Sequence, residues 1–238
     1  EGGLIEAARK GQWETLPDIL AYVQAGGSDP VVVTSLVRLL GQCRSPDKWP
    51  AVRASAGHPS PLVRGAAMAA LDEDLSTAAS VQILLAALRD DVRLVRSRAA
   101  AALAALPREG IAAEDQAALA KAEAELLASF AAQPDDWGAH YNRGIYHEHR
   151  GDTASALADY AAASRLRPDV VPPWVNASVL HAGLGQTAQA EAALGHALAA
   201  DAGNAEANFN YGLLMAEEGN SAAAEKALRT ALKTDPTM

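Results

Sequence analysis

Four of the six histidines, His140, His147, His149 and His181, fall within one stretch of the chain. Neutral imidazole is a common metal ligand, and His140 and His147, seven residues apart, share one face of a helix. His147 and His181 lie 34 residues apart, a spacing that recurs below. His140, His147 and His181 are therefore the candidates for a metal ion or an external haem iron, with simple packing as the competing reading. A second set is more regular: Asn142, Asn176 and Asn210 follow one another at the same spacing of 34. A side-chain amide both donates and accepts, so a ladder of amides suits the capture of an extended peptide backbone. Beside it run Tyr141, Val175 and Phe209, then Ile145, Val179 and Leu213, which are expected to form an apolar groove floor. The competing reading has these asparagines bonding neighbouring structural units instead. Nucleophile, zinc-protease and phosphate-loop motifs are absent from the sequence, and Gly26-Gly27-Ser28-Asp29-Pro30 reads as a turn capping the next helix. The single cysteine, Cys43, excludes an internal disulfide and any CxxC or CxxCH ligand set, and it reads as a small hydrophobe at a helix end. Carboxylates are plentiful but are expected on helix faces and caps, so no catalytic constellation emerges.

The elements that position these residues are helical. The 238 residues include 56 alanines against 11 aromatics, a composition that favours helices over sheets and predicts an all-α chain. Charged residues break every Ala/Leu run, so no membrane insertion is expected. The formal net charge is −9, and no basic stripe is present to neutralise phosphates, which disfavours nucleic acid.

A fixed period decides the architecture. Residues 137–170, 171–204 and 205–238 superpose without gaps. Gly144, Ser178 and Gly212 coincide, as do Gly151, Gly185 and Gly219, the alanine sets Ala156/Ala190/Ala224 and Ala163/Ala197/Ala231, and the bulkier Tyr160, Leu194 and Leu228. Small residues admit close helix approach, glycine takes the turn, and Pro168 and Pro236 close the first and third units. The register resembles the tetratricopeptide repeat. Helices are predicted over 137–150, 153–166, 171–184, 187–200, 205–218 and 221–234. The resemblance implies that the first helix of each pair lines a concave groove, while the Lys/Arg clamp of some adaptor members has no counterpart. His140 and Asn208 stand where the family favours Trp, with Trp174 between them, and Ala202 replaces a closing proline.

Upstream, Leu40, Leu71 and Leu103 are spaced by 31 and 32 residues. The segments Pro61-Leu62-Val63-Arg64-Gly65-Ala66-Ala67 and Arg93-Leu94-Val95-Arg96-Ser97-Arg98-Ala99-Ala100 resemble short HEAT repeats, whose arginine often pairs with an acidic residue of a turn. Helices are predicted over 14–25, 30–41, 46–56, 61–71, 76–88 and 93–105. The organisation expected is therefore an α-solenoid: HEAT-like repeats over 1–110, a linker helix within 111–136, and three tetratricopeptide repeats over 137–238. In the linker, Leu119, Leu126, Leu127 and Phe130 form the apolar stripe, and Glu114, Asp115, Glu123 and Glu125 the expected wet side.

This order of repeats is similar to the haem-free C-terminal region of bacterial multihaem c-type cytochromes. That resemblance implies a scaffold organising or docking c-type cytochromes in a periplasmic or extracellular assembly, with haem c in a partner or parent protein and no cofactor in this chain. The alternative is a peptide-binding assembly factor or co-chaperone using the asparagine-lined groove. A remote one is an enzyme of the HEAT-repeat bilin-lyase type, for which no tetrapyrrole site is visible. The opening Glu1-Gly2-Gly3 is expected for a processed chain or a fragment. The third repeat stops at Asp235-Pro236-Thr237-Met238 without a covering helix, so self-association through its apolar end is expected.

Overall fold

Proline at the first helical position opens two of the helices upstream of residue 110, at Pro30 and Pro61, each after a polar residue, and apolar residues three and four apart give these helices a buried face. The computed structural model describes residues 2–236; Glu1, Thr237 and Met238 lie outside them. These residues fold into fourteen α-helices with no strand among them, divided into two units, 1–128 and 129–238. No helix among the described residues is long and apolar enough to cross a membrane.

The first unit contains α1 (Gly2–Arg9), α2 (Leu16–Gln24), α3 (Pro30–Leu40), α4 (Lys48–Ser55), α5 (Pro61–Ala70), α6 (Ala78–Ala87), α7 (Arg93–Ala102) and α8 (Ala113–Ala131). Asp29 caps α3 by accepting from the Val31 N–H at 2.7 Å. Helices α3, α5 and α7 lie side by side, with α2 against α4, α4 against α5 and α6 against α7. Their shared core holds Ile19, Leu36, Leu40, Cys43, Met68, Leu71, Leu84 and Leu103, all buried.

The expected linker helix is not separate from this unit. Leu119 and Ala122 of α8 are buried in the same core as the preceding helices, and the boundary between units falls near the C-terminal end of α8. Its acids are likewise not simply a wet face. Asp115 pairs with Arg89 at 2.7 Å and Glu125 with Arg96 at 2.8 Å, and Arg108 reaches Glu123. Their partners lie on or beside α6 and α7, so α8 closes the HEAT-like stack by burying apolar area and neutralising arginines together.

The second unit consists of three hairpins: α9 (Trp137–His149) with α10 (Thr153–Leu166), α11 (Val171–Gly183) with α12 (Thr187–Ala200), and α13 (Ala205–Glu217) with α14 (Ser221–Thr234). Each hairpin turns at a glycine with positive φ: 73° at Gly151, 69° at Gly185 and 79° at Gly219. L side chains rarely adopt that region, which explains the recurrence of glycine. Hairpin closure depends on the small residue opposite the bulky one. A Cβ placed on Gly144 would come within 2.6 Å of the Tyr160 ring, and one on Gly212 within 2.7 Å of Leu228.

Candidate protein-binding surface

The first helix of each hairpin is anchored at its start by the same bond made with three different side chains. His140 Nε2 donates to the Pro134 carbonyl at 2.9 Å, Trp174 Nε1 to Pro168 at 3.2 Å and Asn208 Nδ2 to Ala202 at 3.0 Å. The residues replacing Trp therefore keep its polar function, each reaching back six residues to the chain entering the helix. The sequence comparison singled out the position but not the shared donor.

The histidine candidates are occupied by such structural contacts. With Nε2 donating to Pro134, His140 leaves Nδ1 to accept from Arg143 Nη2 at 3.4 Å. Arg143 grips the buried Asp159 through Nε at 2.9 and 3.0 Å, and His147 Nε2 lies 3.8 Å from the same carboxylate. His181 Nδ1 lies 2.7 Å from Gln186 Oε1. Among the described residues, no three His, Cys, Asp or Glu side chains are grouped to hold a metal ion.

The asparagine ladder has three different environments. Asn142 is exposed. Asn176 donates from Nδ2 to the Tyr160 hydroxyl of the preceding repeat at 3.2 Å. Tyr160 is fully buried and donates in turn to Glu148; burial, then that carboxylate, hold its phenol far above the ordinary tyrosine range. Tyr141 packs 5.9 Å from the Tyr160 ring, and Ile145 adjoins the same cluster. Asn210 instead lines an open cleft of about 180 Å³ with Val179, Leu213, Leu214 and Glu217, floored by Ser178 and Leu194.

One expected floor residue is elsewhere. Val175 is 1% exposed and packs with Ala197 and Ala207, so it serves the core between repeats and is not accessible to a partner. Its neighbours in the predicted rows do reach the surface: Val179 is 47% and Leu213 44% exposed, and Phe209 is also exposed. The accessible surface is thus an Asn/Val/Leu cleft between α11 and α13, narrower than the row from Tyr141 to Leu213.

Comparison with known families agrees with the two periods. A model of HEAT repeats matches residues 8–104, and two models of the tetratricopeptide repeat match 108–170 and 181–237. The chain carries HEAT and tetratricopeptide repeats. The first tetratricopeptide match begins before α8, so by sequence that helix also continues into the second repeat series. No curated protein matches the sequence. Among solved structures, that of MamA aligns with a TM-score of 0.46 and 14% identity, covering 72% of this chain and 88% of that one. At that level the likeness carries no argument about this chain. The tetratricopeptide repeats point to protein partners, and the HEAT and tetratricopeptide blocks are each of the α-solenoid type, the build of a protein–protein interaction scaffold.

Proposed function

We propose that the chain is a non-enzymatic scaffold that holds an extended segment of a protein partner in the cleft between α11 and α13. The observation that carries this reading is the combination of two exposed aliphatic side chains, Val179 and Leu213, with the Asn210 amide in one open cleft. Isolated exposed apolar residues are common, but apolar walls around a group able to bond a peptide backbone suit segment capture. The finer setting, a c-type cytochrome as partner in a periplasmic or extracellular assembly, rests on the resemblance in repeat order. Native mass spectrometry of the isolated assembly, with a visible spectrum of the same sample, tests both levels. A partner in fixed stoichiometry that is lost from a Val179→Asp/Leu213→Asp variant of unchanged helicity supports the scaffold, and a Soret band identifies that partner as a haem protein. Retention of the partner by the variant contradicts the cleft assignment.

A further inference from the structure

The first unit carries a separate surface of opposite charge, independent of the cleft. Helices α3, α5 and α7 repeat at spacings of 31 and 32, so equivalent positions fall into rows: Val31/Leu62/Leu94, Ser35/Ala66/Arg98 and Arg38/Ala69/Ala101, of which Ala66 is buried between its neighbours. Arg38 lies seven residues beyond Val31 and Arg98 four beyond Leu94, on the same helix faces. Val31, Leu62 and Leu94 are 59%, 48% and 38% exposed, and they are the large hydrophobics left in water by this unit among the described residues. Beyond Leu62, α5 offers small residues in these rows, Ala66 and Ala69, and a Cβ on its Gly65 would stand 3.4 Å from Leu94.

The charge on these helices is one-sided. α3, α5 and α7 contain five arginines and no acid. Arg64 is neutralised by Asp90 at 2.8 Å and Asp91 at 3.1 Å, and Arg96 by Glu125. Arg38, Arg93 and Arg98 have no carboxylate within ion-pair distance among the described residues, and Arg38 and Arg98 act on one another electrostatically. Partial burial pushes the Arg98 guanidinium below the ordinary arginine range, and the charge of Arg38 pushes it the same way. Two arginines that repel each other beside an exposed apolar row lack an anion.

We infer that this face of α3, α5 and α7 docks an acidic amphipathic segment of a protein partner, its apolar side chains across Val31, Leu62 and Leu94 and a carboxylate between Arg38 and Arg98. The carboxylate removes the repulsion between the arginines and gains charge-assisted bonds, while apolar contact supplies burial. The first helices of the second unit select against the same segment: α9, α11 and α13 carry Glu148, Glu206 and Glu217 against Arg143 alone, which is committed to Asp159.

Fluorescence anisotropy of the full chain with a labelled peptide alternating Leu and Glu, against Leu/Gln and Leu/Lys counterparts, tests this. The Leu/Glu peptide should bind most tightly and weaken with added salt. Arg38→Gln/Arg98→Gln should lower its affinity about tenfold without lowering the thermal midpoint, since neither arginine has an internal ion-pair partner and their mutual repulsion is removed. Leu62→Ser should weaken binding too, and Val179→Asp/Leu213→Asp should leave it unchanged. The proposal is overturned by equal affinity for the Leu/Gln peptide, by absence of Leu/Glu binding, or by full affinity in the arginine variant. It is also overturned if phosphatidylglycerol vesicles or a DNA oligonucleotide displace the peptide at equal charge, because the face is then a general anion patch.

Discussion

Tyr160 ties together three features that the sequence presents separately: the small residue at 144, the asparagine ladder and the first-helix aromatics. Its ring fills the space that a side chain on Gly144 would need, 2.6 Å from an added Cβ, and its hydroxyl bonds Glu148 and Asn176. Gly144→Leu should therefore cost about 1–3 kcal/mol of stability through overpacking. Thermal unfolding measures it, and an unchanged midpoint contradicts the close contact. Asn176→Ala breaks the link to Tyr160 and should cost about 1 kcal/mol, whereas the exposed Asn142→Ala should melt like the parent chain. Equal destabilisation by both substitutions contradicts the distinction. The spacing of the asparagines was legible in the sequence, but their unequal roles were not. The residue equivalent to Tyr160 in the next repeat is Leu194, which has no hydroxyl, so Asn210 is left facing its cleft. A ladder identical in spacing is thus split by one neighbouring side chain.

At the scale of elements, arginines clasp the repeats of the first unit. Arg64 holds Asp90 through Nε at 2.8 Å and Nη2 at 2.9 Å, and also bonds the carbonyls of His58 and Pro59. Burial acts to raise the Asp90 carboxyl, but Arg64, the Val92 N–H and Asp91 outweigh it, so it titrates below the ordinary aspartate range. A lowered folded value means stability that is fully present above about pH 4, the unfolded aspartate range, and lost as pH falls through the folded value. Arg64→Met should remove about 2 kcal/mol at neutral pH and flatten the acid-side loss of stability. Chemical denaturation across pH checks this, and an acid limb as steep as in the parent chain contradicts it. The resemblance to HEAT repeats implied an arginine paired with a turn acid, but not which acid: Arg64 takes Asp90, 26 residues on, and Asp115 and Glu125 take arginines 26 and 29 residues away, so each pair meets only once the helices have packed. A helix read alone shows a polar face, and only packing reveals which charges are satisfied.

For the whole molecule, both repeat series and nearly every helix boundary were legible because period, small residues and turn glycines agree with one another. The division at α8 was not, since a charged helix with an apolar stripe suits a linker as well as a closing element. The structure predicts that a fragment of residues 1–132 unfolds cooperatively. A fragment of 1–110 should be far less stable, with the core against Leu119 and Ala122 uncovered and Arg89, Arg96 and Arg108 unpaired. Equal midpoints for the two fragments contradict the place given to α8. The central claim is that the partner of this scaffold lies in the cleft between α11 and α13. The most direct test places a photo-crosslinking residue at Val179 or Leu213, and as controls at the exposed Glu191 of α12 and Lys226 of α14, in the isolated assembly. The account predicts crosslinks to one partner from Val179 and Leu213 only; crosslinks from the α12 and α14 positions, with none from the cleft, contradict it.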